Sequence, residues 1–169
     1  KDGTWKIMVQ TPEAGGPYTL AVADEKVITF NDVYIGEVWL ASGQSNMAME
    51  LKDCYESTKA ILASKKSNIH FVNVPPVGSY KPLTDIKTDW VAATPENVGN
   101  CSAVAWYFAH FIQKNLDIPV GIINASFGGS IVETWMSRET CFALGGISVP
   151  DLGDGTTGWA ANIPTTMYN

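Results

Sequence analysis

Two short apolar runs, each delivered into a loop of small polar residues, constrain this chain more than anything else in it. Val38-Trp39-Leu40-Ala41 leads into Ser42-Gly43-Gln44-Ser45-Asn46, and Val120-Gly121-Ile122-Ile123-Asn124 leads into Ala125-Ser126-Phe127-Gly128-Gly129-Ser130. Uninterrupted apolar runs of this length read as strands buried on both faces, the habit of a parallel sheet covered by helices. A third run, Ile69-His70-Phe71-Val72-Asn73-Val74, is stopped by Pro75-Pro76. Between them, Ser102 to Asn115 repeats Val104, Tyr107, Phe108 and Phe111 at helical spacing, with Asn100 or Ser102 as the N-cap and Asp117 and Pro119 closing it. Met47 to Leu51 and Ile131 through Ala143 are expected to begin or form further helices. Strand and helix in alternation predict a parallel α/β/α sheet whose ligands meet the carboxyl ends of its strands.

The flanks read differently. From Trp5 to Phe30 the apolar residues alternate (Trp5, Ile7, Val9; Tyr18, Leu20, Val22; Val27, Thr29), which predicts short antiparallel strands with one wet face. Residues 1–35 are therefore expected to be a β-rich segment, the tail of a preceding β-domain, and residues 36–169 the α/β part. The stretch from Pro75 to Trp90 is long and irregular, as functional loops often are. From Gly145 to Asn169 the composition shifts to Gly, Pro, Thr and Asn without periodicity, which predicts a loop.

Composition narrows the function. Over 169 residues, 46% hydrophobic and 17% charged describe a chain that folds around a core. A formal net charge of -6 lacks the basic footprint of a nucleic-acid or anionic-membrane binder, and a neutral ligand such as a sugar fits better. No apolar run approaches the roughly 20 residues of a membrane span, and the first residues lack the apolar core of a signal peptide, as expected of a mature or trimmed chain. The three cysteines, Cys54, Cys101 and Cys141, have no ligand spacing for zinc, so a zinc site is not expected. One disulfide plus a free thiol, or three buried thiols, both satisfy the count.

In a parallel sheet the two polar loops share one crevice. A serine at a strand-to-helix turn, as Ser45 is, stands exposed with its own N–H turned to a developing negative charge, and Gly128-Gly129 lets a second backbone N–H approach closely. The plain reading of Ser45 is a helix cap and that of Gly128-Gly129 a turn; the GxSxG elbow of common hydrolases is absent.

The segment Gly36-Glu37-Val38-Trp39-Leu40-Ala41-Ser42-Gly43-Gln44-Ser45-Asn46-Met47 resembles the first sequence block of the sialate O-acetylesterase group of SGNH hydrolases. Pro119 to Ser130, with Glu133-Thr134-Trp135, resembles that group's glycine block, and Gly16-Pro17-Tyr18 with the strands before Gly36 resembles the β-rich region that precedes the esterase domain. The resemblance implies a flavodoxin-like SGNH fold, Ser45 as nucleophile, and an oxyanion hole from the N–H groups of Ser45 and of Gly128 or Gly129. It implies no metal or cofactor. Gln44, Asn46 and Glu133 become candidate substrate contacts, and the substrate becomes an acetyl ester on a sugar, cleaved through an acyl-enzyme with histidine as general base.

The chain departs from that pattern in one respect. Its two histidines, His70 and His110, follow Ser67 and Tyr107 by three residues, so neither forms the group's Asp-x-x-His. The catalytic Asp and His are expected outside these residues, in a missing C-terminal segment or a second chain completing the domain, and this chain alone is expected to be nearly inactive. Trp135 reads as a packing residue, and Asp85 and Asp89 as solvated charges. A non-catalytic sugar-binding or scaffolding module is the alternative, an anion site at the glycine loop a weaker one. A periplasmic or extracellular location is expected from family habit and substrate.

Overall fold

The computed structural model describes residues 3–151, 153, 155–157 and 162–169. β1 (Gly15–Ala23) and β2 (Val27–Ile35) form an antiparallel hairpin, regular from Ala23 opposite Val27 to Leu20 opposite Phe30 and then shifted in register on either side of Tyr18, ending with Gly15 opposite Ile35. Its tight turn, Asp24-Glu25-Lys26, closes on a bond from the Asp24 N–H to the Lys26 carbonyl. The expected strand at Trp5, Ile7 and Val9 does not form, and these side chains stay exposed. Alternation marks a strand only where a neighbour supplies the ladder of hydrogen bonds, and none pairs here.

The chain then enters the main sheet through β3 (Glu37–Gly43), which runs into the short helix α1 (Ser45–Ala48) and a 3-10 turn at Leu51–Asp53. After α2 (Ser57–Ala63) come β4 (Ile69–Asn73), the two-residue strands β5 (Gly78–Ser79) and β6 (Val91–Ala92), α3 (Ala103–Leu116) and β7 (Val120–Ser126). The order across the sheet is β3-β7-β4-β6, with β7 parallel to both β3 and β4 and β6 antiparallel at the far edge. The parallel α/β sheet read from the apolar runs is therefore present. Its central strand is the third of the parallel three, and the serine-bearing strand lies at an edge of the described sheet.

Gly36 makes the entry into β3 possible. A Cβ there would lie 2.0 Å from the Pro119 carbonyl oxygen, and the same carbonyl accepts from the Glu37 N–H at 3.1 Å. The starts of β3 and β7 are thus brought together backbone to backbone.

One face of the sheet is covered. Val120 and Ile122 of β7 and Ile69 and Phe71 of β4 pack with Ala103, Ala105, Trp106 and Ala109 of α3, and Leu51, Val98 and Cys101 complete the core. The helix buries alanines where branched strand residues press on it and fills the remaining space with one indole, the large-against-small complementarity of close-packed interiors. Val104, Tyr107, Phe108 and Phe111, the stripe that marks the helix in the sequence, face outward and are 43–66% exposed. Spacing finds a helix but does not choose between two apolar stripes. Ser102 caps α3 by accepting from the Ala105 N–H at 3.2 Å, and Asp117 ends it in the left-handed conformation.

β3 corrects the expectation of burial on both faces. Only Ala41 is buried, while Val38 and Leu40 are 61% and 67% exposed, because no helix of the described residues lies over that face. The helix expected over Ile131 to Ala143 is also broken, into a 3-10 turn at Val132–Trp135 and α4 (Arg138–Leu144). Ser137 is the reason: its hydroxyl accepts from the Thr140 N–H at 3.1 Å and starts a new helix there. The Gly-rich tail contains the short β8 (Thr156–Thr157), paired to β5, and its last residues are tied down, with Thr165 and Thr166 buried.

All three cysteines are free thiols. Cys101 and Cys141 are fully buried and Cys54 is half-buried; burial pushes the Cys101 thiol up to about 12. A thiolate is the reactive form. The native protein is expected to react with a disulfide reagent at Cys54 alone, and at all three after denaturation. Native-state labelling of Cys101 or Cys141, read by peptide mass, contradicts this packing.

Candidate functional site

The site is built where β3 and β7 end. Gly43, in register with Ser126, has φ +142, a backbone state that favours glycine, and from it the chain turns directly into α1. Gln44 occupies the N-cap position and makes no side-chain cap bond, so Ser45 is the first helical residue. The plain reading of Ser45 as a cap is thereby corrected: its side chain is exposed and serves no cap. The N–H groups of a helix's first turn have no acceptor within the helix, so the Ser45 N–H remains available to a ligand oxygen. Gln44 and Asn46, the candidate contacts on either side, are exposed as well.

The segment behind the serine is held by α3. Ala103 N–H donates to the Met49 carbonyl and Leu51 N–H to the Cys101 carbonyl, both at 2.9 Å, and the Ser102 hydroxyl contacts Met47 Sδ at 3.3 Å. An exposed serine is therefore mounted on a buried support.

Opposite it lies the glycine loop. The Phe127 N–H donates to the Gly43 carbonyl at 2.9 Å, which fixes the loop against the serine turn. A Cβ on Gly128 would stand 3.7 Å from both Cα and Cβ of Ser45. That is ordinary contact, so an alanine fits at Gly128. Gly129 has φ +79 with open space around it; its requirement is conformational. The loop is closed below by the Ser130 hydroxyl, which donates to the Phe127 carbonyl at 2.8 Å and accepts from the Trp135 indole N–H at 2.9 Å. Glu133 is half-buried on the 3-10 turn that follows, and its carbonyl accepts from the Thr165 N–H at 2.9 Å.

Sequence reasoning missed a set of amides between the loops. Asn73 and Asn124 are register partners at the ends of β4 and β7; the Asn124 amide donates to Asn73 Oδ1 at 2.9 Å, and the Ser126 hydroxyl donates to Asn124 Oδ1 at 2.7 Å. The Asn73 amide in turn donates to the Asn100 carbonyl at 3.1 Å. The signal was present, since both apolar runs place an asparagine near their carboxyl end.

Neither histidine belongs to this end of the sheet. His70 packs against Tyr34 with the rings tilted and their centroids 4.2 Å apart, and lines a cavity with Pro119, Val120 and Gly121, at the amino ends of the strands. Its pKa is lowered by burial, against a smaller raising effect of Asp32. His110 stacks on Trp106 at 5.5 Å, two turns into α3 from Ser102, and its Nδ1 is buried without a partner. Both therefore lie away from the two serine and glycine loops. Asp85 and Asp89 are exposed, and among the described residues no cluster of His, Cys, Asp or Glu is arranged to hold a metal ion. No helix of the described residues is long and apolar enough to cross a membrane.

No family model matches the chain. It is 31% identical over 170 residues to the mouse sialate O-acetylesterase, covering 92% of this chain and 31% of the relative. It is 31% identical over 156 residues to the human sialate O-acetylesterase, covering 84% and 30%. A crystal structure of a carbohydrate acetylesterase from Xanthomonas citri superposes with a TM-score of 0.82 at 33% identity, covering 98% of this chain and 35% of that one. The chain thus spans about three-tenths of the length of the curated relatives it matches.

Proposed function

We propose an activity from one premise: this chain belongs to the sialate O-acetylesterase group. It supplies the nucleophile of a carbohydrate O-acetylesterase of SGNH type. Ser45 attacks the carbonyl carbon of an acetyl ester on a sugar, the sugar hydroxyl leaves, and water then releases acetate from the acetyl-serine. The N–H groups of Ser45 and of Gly128 or Gly129 receive the oxyanion, and Gln44, Asn46 and Glu133 line the approach. The observation that carries the reading is the nearness of Gly128 to Ser45, where an added Cβ would come within 3.7 Å of the serine: an exposed serine that caps nothing lies beside a glycine backbone fixed by Phe127 to the serine's own turn.

A serine hydroxyl needs a base to become nucleophilic near neutral pH, and His70 and His110 are placed elsewhere. The base and its acidic partner come from polypeptide beyond the described residues, in the manner of the Asp-x-x-His that the family resemblance implies. The proposed site of action is periplasmic or extracellular, where O-acetylated glycans are met.

A fluorophosphonate tests the assignment. Applied to the protein as its source produces it, the reagent is expected to modify the peptide that contains Ser45 and to stop acetate release from an O-acetylated glycoside in proportion to modification. Loss of acetate release with the label on another serine rejects Ser45 as the nucleophile.

A further inference from the structure

Next to the serine site is a second feature that the esterase reading does not use. A cavity of about 660 Å³ lies between the loop that follows β4, the end of β7 and the last residues of the chain, with Val74, Ser126, Trp135, Met167 and Tyr168 among its walls. Its size is that of sites that take small organic ligands, and its walls are mostly apolar with a few polar groups, Asp85 and Asn169 among them. The walls are built. Thr165 and Met167 donate backbone N–H groups to the Glu133 and Thr134 carbonyls, each at 2.9 Å, and Ser79 and Leu83 donate to the Thr166 and Asn169 carbonyls at 2.8 and 2.9 Å. The far loop, the chain's last residues and the 3-10 turn therefore form one enclosure.

Trp135 belongs to both the cavity and the oxyanion loop. Trp135 forms part of the cavity wall, while its indole N–H donates to Ser130, which donates to the carbonyl of Phe127, the residue before Gly128. A pyranose ring offers a flat face of C–H groups and a rim of hydroxyls, which a cavity holding an indole, a carboxylate and an amide among its walls matches. Ser126, another wall residue, is in register with Gly43, two residues before Ser45, so a ring in the cavity lies beside the reacting ester.

We propose that Trp135 is the specificity-determining residue of the site: its ring seats the sugar of the acetylated substrate, and its N–H positions the glycine loop through Ser130. This rests on the esterase reading for the reaction, though the seating of the sugar stands on the cavity itself.

The test separates the two roles in the protein as its source produces it, using p-nitrophenyl acetate, which has no sugar, and an O-acetylated methyl pyranoside. Trp135→Ala is expected to raise KM for the pyranoside about tenfold and to leave KM for p-nitrophenyl acetate within about twofold. Trp135→Phe keeps a ring and loses the N–H; it is expected to preserve the pyranoside KM and to lower kcat on both esters about tenfold, with Ser130→Ala doing the same. Equal KM changes on both esters, or unchanged kcat in Trp135→Phe and Ser130→Ala, overturn the proposal. Titrating the Ser45→Ala protein, as its source produces it, with the methyl pyranoside while following the tryptophan indole N–H resonances keeps the outcome independent of catalysis. A saturable shift of the signal missing from Trp135→Phe supports the seat, even if Ser45 proves not to be the nucleophile. No shift at Trp135 removes it.

Discussion

Replacing Ser45 by alanine is expected to lower the turnover of acetate release by about a millionfold, the scale seen when a nucleophilic serine is removed from a triad, with the residual rate set by binding and the oxyanion donors alone. Stability should move by less than about 0.5 kcal/mol, because the side chain is exposed and caps no backbone group. This combination is the diagnostic one. A structural serine would lose stability and only part of its activity; a nucleophile does the opposite. Two neighbouring serines serve as controls, since both hydroxyls are committed: Ser126 to Asn124 Oδ1 at 2.7 Å and Ser130 to the Phe127 carbonyl at 2.8 Å. Steady-state acetate release and urea denaturation on the same preparations decide it, and turnover that survives in Ser45→Ala removes Ser45 from the mechanism.

Gly36→Ala is expected to have the largest effect on folding, a loss of about 3 kcal/mol or more in urea denaturation. The added methyl carbon would meet the Pro119 carbonyl oxygen at 2.0 Å and its carbon at 2.9 Å. Those are backbone atoms, and moving them breaks the bond from the Glu37 N–H to the same carbonyl and opens the start of the β3–β7 pairing. Gly128→Ala is the matched comparison, with its nearest contact at 3.7 Å and an expected loss within about 1 kcal/mol. If the two variants are equally stable, the close approach at Gly36 does not govern how β3 and β7 meet.

The parallel strands were legible because each is a short apolar run ended by polar or breaking residues, and β3, β4 and β7 fall on the runs that mark them. Ser102 and Asp117 marked the ends of α3 by cap chemistry. Burial was less legible. The runs at Val38 to Leu40 and the Val104, Tyr107, Phe108, Phe111 stripe are apolar yet exposed, since burial depends on what lies opposite and a single segment does not carry that information. The break at Ser137 is made by its hydroxyl accepting from the Thr140 N–H, a cap that a single helix expected over the whole stretch does not anticipate. Of the site, the two loops were legible as polar turns at the ends of apolar runs, but a cap and a turn explain serine and glycine there equally well, and only the longer resemblance around them marked them as a site. The brace through Trp135 and Ser130 and the amides of Asn73 and Asn124 were not, because they join positions whose adjacency exists only after the sheet is paired.

The central place of β7 has a consequence for how this site tolerates change. It is in register with β3 from Glu37 to Gly43 and with β4 from Ile69 to Asn73, so the heights of both neighbouring strands are read off a single ruler. The ends of the two pairings, Gly43 opposite Ser126 and Asn73 opposite Asn124, differ by two residues of that ruler, an offset of roughly 7 Å along the strand. Insertions outside the paired strands leave the offset untouched, whereas a one-residue slip of β7 resets both neighbours at once and turns its side chains over. The heights of the serine and asparagine ends therefore depend on the length of one seven-residue strand.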